Sequence, residues 1–219
     1  MLCLVDGFIG GINVLVLENV ETNLFSNLNF AIRQNGIYGI IGRNGSGKST
    51  LYTLINGELR SKSGKIYGFD RVVYVPNLEI FNEELSGSAY LEMLTGEAYQ
   101  RANILSQKFH ADSFLNKKIK TYSLGMKEIL AFILTLSLES DLIIIDELMN
   151  GLDQGMRDLA YTVLGEVSGD KIILLTSHIL EEVFANSEKV FLLNGSSLQE
   201  VNDLPGAKSL VGKELVFNG

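Results

Sequence analysis

The segment GRNGSGKS, residues 42–49, carries the residue types that bind the phosphates of a nucleotide. It fits the pattern G-x-x-x-x-G-K-[ST] and follows GIYGII, an apolar run that is typical of a strand. Glycines let backbone N–H groups turn toward a phosphate, and the start of the following helix adds a partial positive charge. The alternative is an ordinary glycine turn before a helix. The strand before the segment and the helix after it favour a site for a nucleoside triphosphate.

The predicted phosphate site is made of consecutive residues, each with a backbone or side-chain group near the nucleotide. They are Gly42, Arg43, Asn44, Gly45, Ser46, Gly47, Lys48, Ser49 and Thr50. Lys48 would contact the β- and γ-phosphates, and the Ser49 hydroxyl would ligate Mg²⁺.

A second apolar run, LIIIDE at residues 142–147, ends in two carboxylates. A strand of this kind delivers Asp146 and Glu147 to the carboxyl end of a parallel sheet, where ligands bind in such folds. Asp146 would hold Mg²⁺, and Glu147 would position or deprotonate an attacking water, a role worth about 10²–10⁴ in rate. Alone, this run also suits any strand that ends in polar residues. Together with the upstream segment it favours hydrolysis of the bound nucleotide.

Both motifs must sit at one edge of a sheet, and the apolar pattern predicts such a sheet. Strands are predicted over residues 12–18, 28–33, 36–41, 71–75, 142–145, 171–176 and 189–193. Helices are predicted over residues 48–56 and, from helical spacing, from Met156 to Val167. Strand patterns vanish between residues 82 and 120, and no strong pattern follows residue 203. The predicted fold is α/β, a mostly parallel sheet covered on both faces and interrupted by a helical insertion.

Composition excludes several classes of protein. A net charge of −8 and a pI near 4.8 argue against a nucleic-acid partner, because no net basic field attracts phosphate backbones. The single cysteine, Cys3, excludes an internal disulfide and fits a reducing compartment. No signal peptide is expected at the N-terminus. The longest apolar run, residues 129–138, is half the length that a bilayer requires and predicts a buried helix.

The order of motifs resembles the ATP-binding subunit of an ABC transporter. GRNGSGKST is followed by YSLGM at residues 122–126, then by LIIIDE, by NGLD at residues 150–153 and by TSH at residues 176–178. The similarity runs from about Ile12 to Val201. It implies the ABC ATPase fold, a P-loop NTPase core with an N-terminal antiparallel β portion, in a single domain of residues 1–219. The α/β core would comprise residues 1–77 and 141–219, and a helical signature subdomain about residues 78–140.

The resemblance also implies that two subunits share each ATP. Ser123 and Gly125 would contact the γ-phosphate of ATP bound to the opposite subunit, and Asp153 would lie across the dimer interface. His178 would contact the γ-phosphate and order the attacking water. The catalytic residues would therefore be Glu147, His178 and Lys48. The metal ligands would be Ser49, Asp146 and Asn77.

Several positions depart from the family pattern. Asn77 stands where glutamine is usual, so its side chain is one methylene shorter. At four other positions the residue also differs from the usual one. Leu124 stands in place of glycine, Met126 of glutamine, Ile129 of arginine and Leu148 of proline. The aromatic residue that stacks on adenine usually precedes the strand LNFAIR, and Phe25 is the candidate here. These changes suggest a divergent subunit with slow hydrolysis.

The implied function is ATP hydrolysis that drives a separate membrane permease. The chain would bind ATP and Mg²⁺, form a nucleotide-dependent homodimer or heterodimer, and lie on the cytoplasmic face of the membrane through its permease. The SLGMK-type signature is similar to those of bacterial exporters of antibiotics or peptides, so export is expected. Two alternatives stay open: an ABC ATPase that serves DNA repair or translation, and a degenerate ATP-binding subunit with little hydrolysis.

Overall fold

Two β-sheets organise the chain, and a computed structural model describes residues 13–75 and 77–212. Predictions that involve Cys3 or Ile12 lie outside the described residues. The strands are β1 (Leu15–Glu21), β2 (Leu28–Ile32), β3 (Gly36–Ile41), β4 (Ser63–Tyr67), β5 (Val72–Tyr74), β6 (Leu142–Asp146), β7 (Ile172–Thr176), β8 (Lys189–Asn194) and β9 (Ser197–Val201). The helices are α1 (Lys48–Ile55), α2 (Gly87–Glu92), α3 (Gly96–Lys108), α4 (Leu124–Ser137), α5 (Gln154–Val167), α6 (Leu180–Asn186) and α7 (Leu204–Gly212). Short 3₁₀ turns lie at Leu78–Ile80, Ala111–Ser113 and Ile119–Thr121.

The larger sheet has six strands in the order β5-β6-β7-β3-β8-β9, and all its pairs are parallel except β8 with β9. Its central strands are buried on both faces. Ile143 and Ile145 pack with the helical segment, whereas Leu142 and Ile144 pack with α1 and the smaller sheet. This alternation confirms the predicted α/β class, in which apolar strands are covered from both sides.

The smaller sheet has the order β2-β1-β4 and is antiparallel, which confirms the predicted N-terminal antiparallel portion. Strand β1 begins at Leu15, further along the chain than the predicted strand over residues 12–18. Its position is fixed by pairs such as Leu15 with Ile32 and Leu17 with Ile66. Strand β4 was not predicted, because its exposed and half-buried SGKIY sequence is a strand only through pairing with β1.

The end of the described chain corrects the expectation that no pattern follows residue 203. The Asp203 side chain accepts a hydrogen bond from the Gly206 N–H at 2.6 Å, at the start of α7. Ala207 of α7 is fully buried in a cluster with Val183 and Val190. Strand β9 was also missed, because it forms by pairing with β8.

The segment between β5 and β6 is helical, as predicted. Its main helix, α4, is buried over most of its length, and the Phe109 and Phe132 rings meet edge to face at 5.5 Å. In contrast to the buried residues of α4, Met93 is 64% exposed and Ile104 is 65% exposed. Among residues 13–75 and 77–212, no helix combines the length and apolar character needed to span a bilayer.

Candidate functional site

The loop over residues 42–47, here named the phosphate loop, connects β3 to α1 and is shaped by its glycines. Gly45 has φ +79° and Gly47 has φ +100°, values that residues with a Cβ rarely adopt. Gly47 is the N-cap residue of α1, and its carbonyl accepts the Leu51 N–H at 2.8 Å. The Ser46 N–H donates to the Arg43 carbonyl at 3.0 Å and closes the turn. The backbone therefore curls in front of a helix N-terminus, which favours anions.

Lys48 lies over the phosphate loop. Its Nζ donates to the Gly42 carbonyl at 2.8 Å and to the Arg43 carbonyl at 3.3 Å. These contacts hold the ammonium at the mouth of the loop, where a phosphate would meet both the charge and the helix N-terminus.

Asp146 and Glu147 differ in how the end of β6 presents them. Asp146 ends the strand, and Tyr74 donates its hydroxyl to Asp146 Oδ2 at 3.3 Å. Burial, and next the nearby Glu147 carboxylate, raise the pKa of Asp146. Glu147 has φ +56°, the left-handed region, while its N–H donates to the Thr176 carbonyl at 3.0 Å. The backbone thus turns at Glu147 and redirects its side chain.

Glu147 and His178, two predicted catalytic residues, are in contact. His178 Nε2 lies 2.9 Å from Glu147 Oε2. The His178 side chain is 58% exposed and that of Glu147 33% exposed, so both groups reach solvent. A small cavity of about 100 Å³ is lined by Gly42, Lys48, Glu147 and His178 among others, and it joins the pair to the phosphate loop.

A cavity of about 700 Å³, here named the main cavity, is lined by most of the predicted site residues. The predicted residues that line it are Asn44, Gly45, Gly47, Lys48, Ser49, Thr50, Asn77, Asp146 and Glu147. Arg43, Ser123 and Gly125 are not among its lining residues. Ser46 is also absent from this wall, and its hydroxyl is buried without a hydrogen-bond partner in the described structure.

The predicted metal ligands share the main cavity and offer oxygen atoms. Ser49 contributes a hydroxyl, Asp146 a carboxylate and Asn77 an amide oxygen, which are the ligands that Mg²⁺ prefers. The Asn77 side chain accepts the Glu79 N–H at 2.9 Å and so caps a 3₁₀ turn. Its carbonyl oxygen has a second lone pair. Because burial raises the Asp146 pKa, a cation at this position would also stabilise the carboxylate.

The start of α4 is organised by Ser123, the N-cap residue. Its hydroxyl accepts the Met126 N–H at 3.2 Å, and its side chain is exposed. Leu124, in the first turn, is 56% exposed and lines the main cavity. At the far end of the NGLD segment (residues 150–153), Asp153 caps α5 by accepting the Met156 N–H at 2.9 Å.

The assignment of Phe25 to adenine stacking is wrong. Phe25 is 1% exposed, and its ring packs beneath Gly47, close to where a Cβ of that residue would lie. The neighbouring Leu24 is 45% exposed and lines the main cavity. An apolar residue does reach the site from this loop, but its side chain is aliphatic. No feature of the local sequence indicates which of the two neighbours faces inward.

Glu128 and Tyr74 were not predicted. Glu128 lines the main cavity, is 3% exposed and accepts the Gly151 N–H with both oxygens, at 3.0 and 2.8 Å. Burial raises its pKa to about 7, which the Gly151 hydrogen bond partly offsets. An acidic residue inside an otherwise apolar helix was the available sign. Nothing in the sequence around Tyr74 indicates its contact with Asp146.

A phosphate loop between a parallel strand and a helix, with carboxylates at the same sheet edge, is the arrangement of a P-loop nucleotide-binding protein. The ABC transporter family model matches residues 25–150, more than half of the chain. The chain is 33% identical over 189 residues to the teichoic acids export ATP-binding protein TagH of a Bacillus cereus strain. That match covers 82% of this chain but 34% of the relative, so the chain spans about a third of that protein.

Two further similarities span nearly the whole of their partners. The chain is 29% identical to the zinc import ATP-binding protein ZnuC of Wigglesworthia glossinidia brevipalpis, over 91% of this chain and 93% of that protein. A solved structure of an ATP binding subunit of an ABC transporter superposes with a TM-score of 0.79 at 22% identity, covering 93% and 95% of the two chains. The chain belongs to the ABC transporter family, and its fold is that of the family's ATP-binding subunit.

Proposed function

We propose that this chain hydrolyses ATP and thereby powers a separate membrane permease. The observation that carries the proposal is the shared wall of the main cavity, where Lys48 and the Asp146–Glu147 pair face the same space. A cation for phosphates, an oxygen ligand for a metal and a base for water are the parts that phosphoryl transfer requires.

Phosphate binding would rest on the phosphate loop and on Lys48. Backbone N–H groups at the start of α1 would donate to the β-phosphate, and Lys48 would exchange its carbonyl contacts for the β- and γ-phosphate oxygens. Ser49, Asp146 and Asn77 would hold Mg²⁺. The ion would neutralise charge on the β- and γ-phosphate oxygens.

Hydrolysis would use Glu147 as general base. Glu147 accepts a proton from water as the water oxygen bonds to the γ-phosphorus, and the bond from that phosphorus to the β-phosphate oxygen breaks. His178, which lies 2.9 Å from Glu147, would hold the carboxylate in place and contact the γ-phosphate. The products are ADP and inorganic phosphate.

The second half of each site would come from another subunit. Ser123 is exposed at the start of α4, and Ser123 and Gly125 do not line the cavity that contains the chain's own phosphate loop, although Leu124 between them does. This placement supports contact with the γ-phosphate of ATP on a neighbouring subunit, in a homodimer or heterodimer. The helix N-terminus there would add a favourable partial charge.

The proposed division follows the helical insertion between β5 and β6. Residues 1–77 and 141–219 would form the α/β core, and about residues 78–140 the signature subdomain. The chain would sit on the inner face of the cell membrane, bound to its permease. The relatives named above are described as serving teichoic acid export and zinc import, so their names favour no single direction. Export of an antibiotic or peptide stays a prediction from the signature.

Phosphate release from Mg-ATP by the purified chain tests the proposal. We expect turnover that stops when EDTA removes Mg²⁺ and when Lys48 is replaced by alanine. Binding of ATP without turnover would favour the degenerate subunit instead. Isolation of the tagged chain from membranes should recover a polytopic membrane protein, whereas recovery with ribosomes or DNA would favour the non-transport alternative.

A further inference from the structure

The start of α4 and the NGLD segment are joined within one chain by Glu128. Both carboxylate oxygens lie within hydrogen-bond distance of the Gly151 N–H, at 3.0 and 2.8 Å. Glu128 is 3% exposed, so it makes this contact out of bulk water. The buried partner is the carboxylate, which would lose this hydrogen bond if Gly151 moved away, so the fold favours keeping the two together.

Side-chain packing locks the same two segments. A Cβ added to Gly151 would lie 2.6 Å from Leu124 Cγ and 3.0 Å from Glu128 Oε2. A Cβ added to Gly125 would lie 2.9 Å from the Gly151 carbonyl oxygen. The first turn of α4 therefore packs closely against one side of Gly151, and the space on that side fits a glycine. The bulky Leu124, at a position where the family usually has glycine, fills that space.

The NGLD segment is also held on its other side. Arg157 donates to the Leu152 carbonyl and forms an ion pair with Glu182 at 3.0 Å. Both side chains are mostly buried, at 16% and 14% exposure. Glu182 belongs to α6, which begins just after His178. The NGLD segment thus lies between α4 and the helix that follows His178.

We propose that Glu128 is a positioning residue that fixes Gly151 against α4, so that the signature serine and the NGLD segment meet the neighbouring subunit as one unit. The inference rests on the proposed function, in which Ser123 and Gly125 contact that neighbour, and on the predicted place of Asp153 across the dimer interface. Correct placement of one segment would then require correct placement of the other.

The central test replaces Glu128 with a side chain of similar length that cannot accept the N–H. Glu128→Met removes the acceptor, whereas Glu128→Gln retains an amide oxygen that can still accept it. Dimerisation of the full chain with a non-hydrolysable ATP analogue should weaken about tenfold in Glu128→Met and recover in Glu128→Gln. Binding of a fluorescent ATP analogue to the monomer should stay intact in both. Glu92→Met, at an exposed position on α2, is the matched control.

A second test uses the packing and does not alter Glu128. Gly151→Ala should weaken dimerisation, because the new methyl meets Leu124. Leu124→Ala removes the obstructing atoms, so the Leu124→Ala/Gly151→Ala double variant should dimerise better than Gly151→Ala alone. The single Leu124→Ala variant supplies the baseline for this comparison.

Either of two results would overturn the positioning role. One is Glu128→Met that dimerises like the parent or no worse than Glu128→Gln. The other is Gly151→Ala that dimerises normally or is not improved by Leu124→Ala. Two results for the parent bear on the proposed function itself. If the parent binds the ATP analogue but never dimerises, the shared site is wrong. If the parent does not bind ATP, the whole proposed function is wrong.

Discussion

The phosphate loop and the start of α4 are both assigned to ATP, yet they are held in place differently. The phosphate loop is shaped by its own backbone, with left-handed Gly45 and Gly47 and with Lys48 bonded to carbonyls a few residues away. The start of α4 depends on a segment distant in sequence, through Glu128 and Gly151. A motif shaped by its own backbone can be recognised from its local sequence. A motif held by a distant contact can carry unusual residues, provided that the contacting segment accommodates them.

The most severe test of the phosphate loop is Lys48→Ala. Removing the ammonium proposed to bind the β- and γ-phosphates should weaken ATP binding by about a hundredfold or more. Titration with a fluorescent ATP analogue measures the loss, and Lys65→Ala, at an exposed position on β4, is the control. Equal affinity in Lys48→Ala and the parent would mean that the nucleotide lies elsewhere.

Glu147→Gln separates binding from chemistry within the same half of the site. Since an amide cannot take the proton from water, phosphate release should fall about 10²–10⁴-fold while ATP binding persists. The variant should also accumulate as an ATP-bound dimer in size-exclusion chromatography. If hydrolysis is unchanged, His178 becomes the base to examine next.

Mixing two inactive variants tests whether the start of α4 acts on a neighbour. Ser123→Arg should spare ATP binding by the monomer but weaken dimerisation and hydrolysis, because the γ-phosphate loses a contact from the other subunit. In a mixed dimer with Lys48→Ala, one site carries both lesions and the other carries none. Part of the ATPase activity should therefore return, provided that one intact site turns over alone.

The outcome most damaging to the shared site is loss of ATP binding by monomeric Ser123→Arg. It would show that the signature segment contacts the nucleotide of its own chain. The difference between the two regions would then lie only in how each is held.

The smallest expected effect concerns the pH dependence of stability. The Glu128 pKa is raised from 4.5 to about 7, so its contribution to stability is fully present below 4.5 and is lost as the pH rises through 7. Glu128→Gln has no such titration. The free energy of unfolding of the parent, relative to Glu128→Gln, should fall by roughly 1–3 kcal/mol over this range.

Urea unfolding of both proteins at a series of pH values measures that difference, since other titrations cancel between them. Lys48, Asp146 and Glu147 line the same cavity as Glu128 and are present in both proteins. A constant difference between parent and variant would show that Glu128 keeps an ordinary pKa.

Most of the larger sheet was predictable, because fully buried strands such as β6 and β7 are apolar over nearly their whole length. Strands β4 and β9 were not, because each is polar and exists through pairing with a neighbour. Helix α7 was missed for a similar reason, since Ala207 is buried by a cluster that only the folded chain assembles.

The site likewise contains residues that the sequence predicted and residues that it did not. Motif and strand-end logic predicted a shared location for Lys48, Asp146 and Glu147, which line one cavity, and the structure places His178 against Glu147. Leu24, and not Phe25, lines the main cavity because the orientation of two adjacent apolar side chains depends on what they pack against, and Phe25 is buried in the core cluster beside α1. Two further residues, Glu128 and Tyr74, act through partners many residues away, and local spacing carries no information about such contacts.

The left-handed backbone of Glu147 has a consequence for how inactive copies of this protein behave. At φ +56° a glutamate costs about 1–2 kcal/mol that asparagine, which tolerates this region, largely avoids. Glu147→Asn should therefore fold at least as well as the parent while losing the proposed general base. The inactive Glu147→Asn variant would then have the higher expression yield and melting temperature. A screen of variants by solubility alone would therefore select against catalysis.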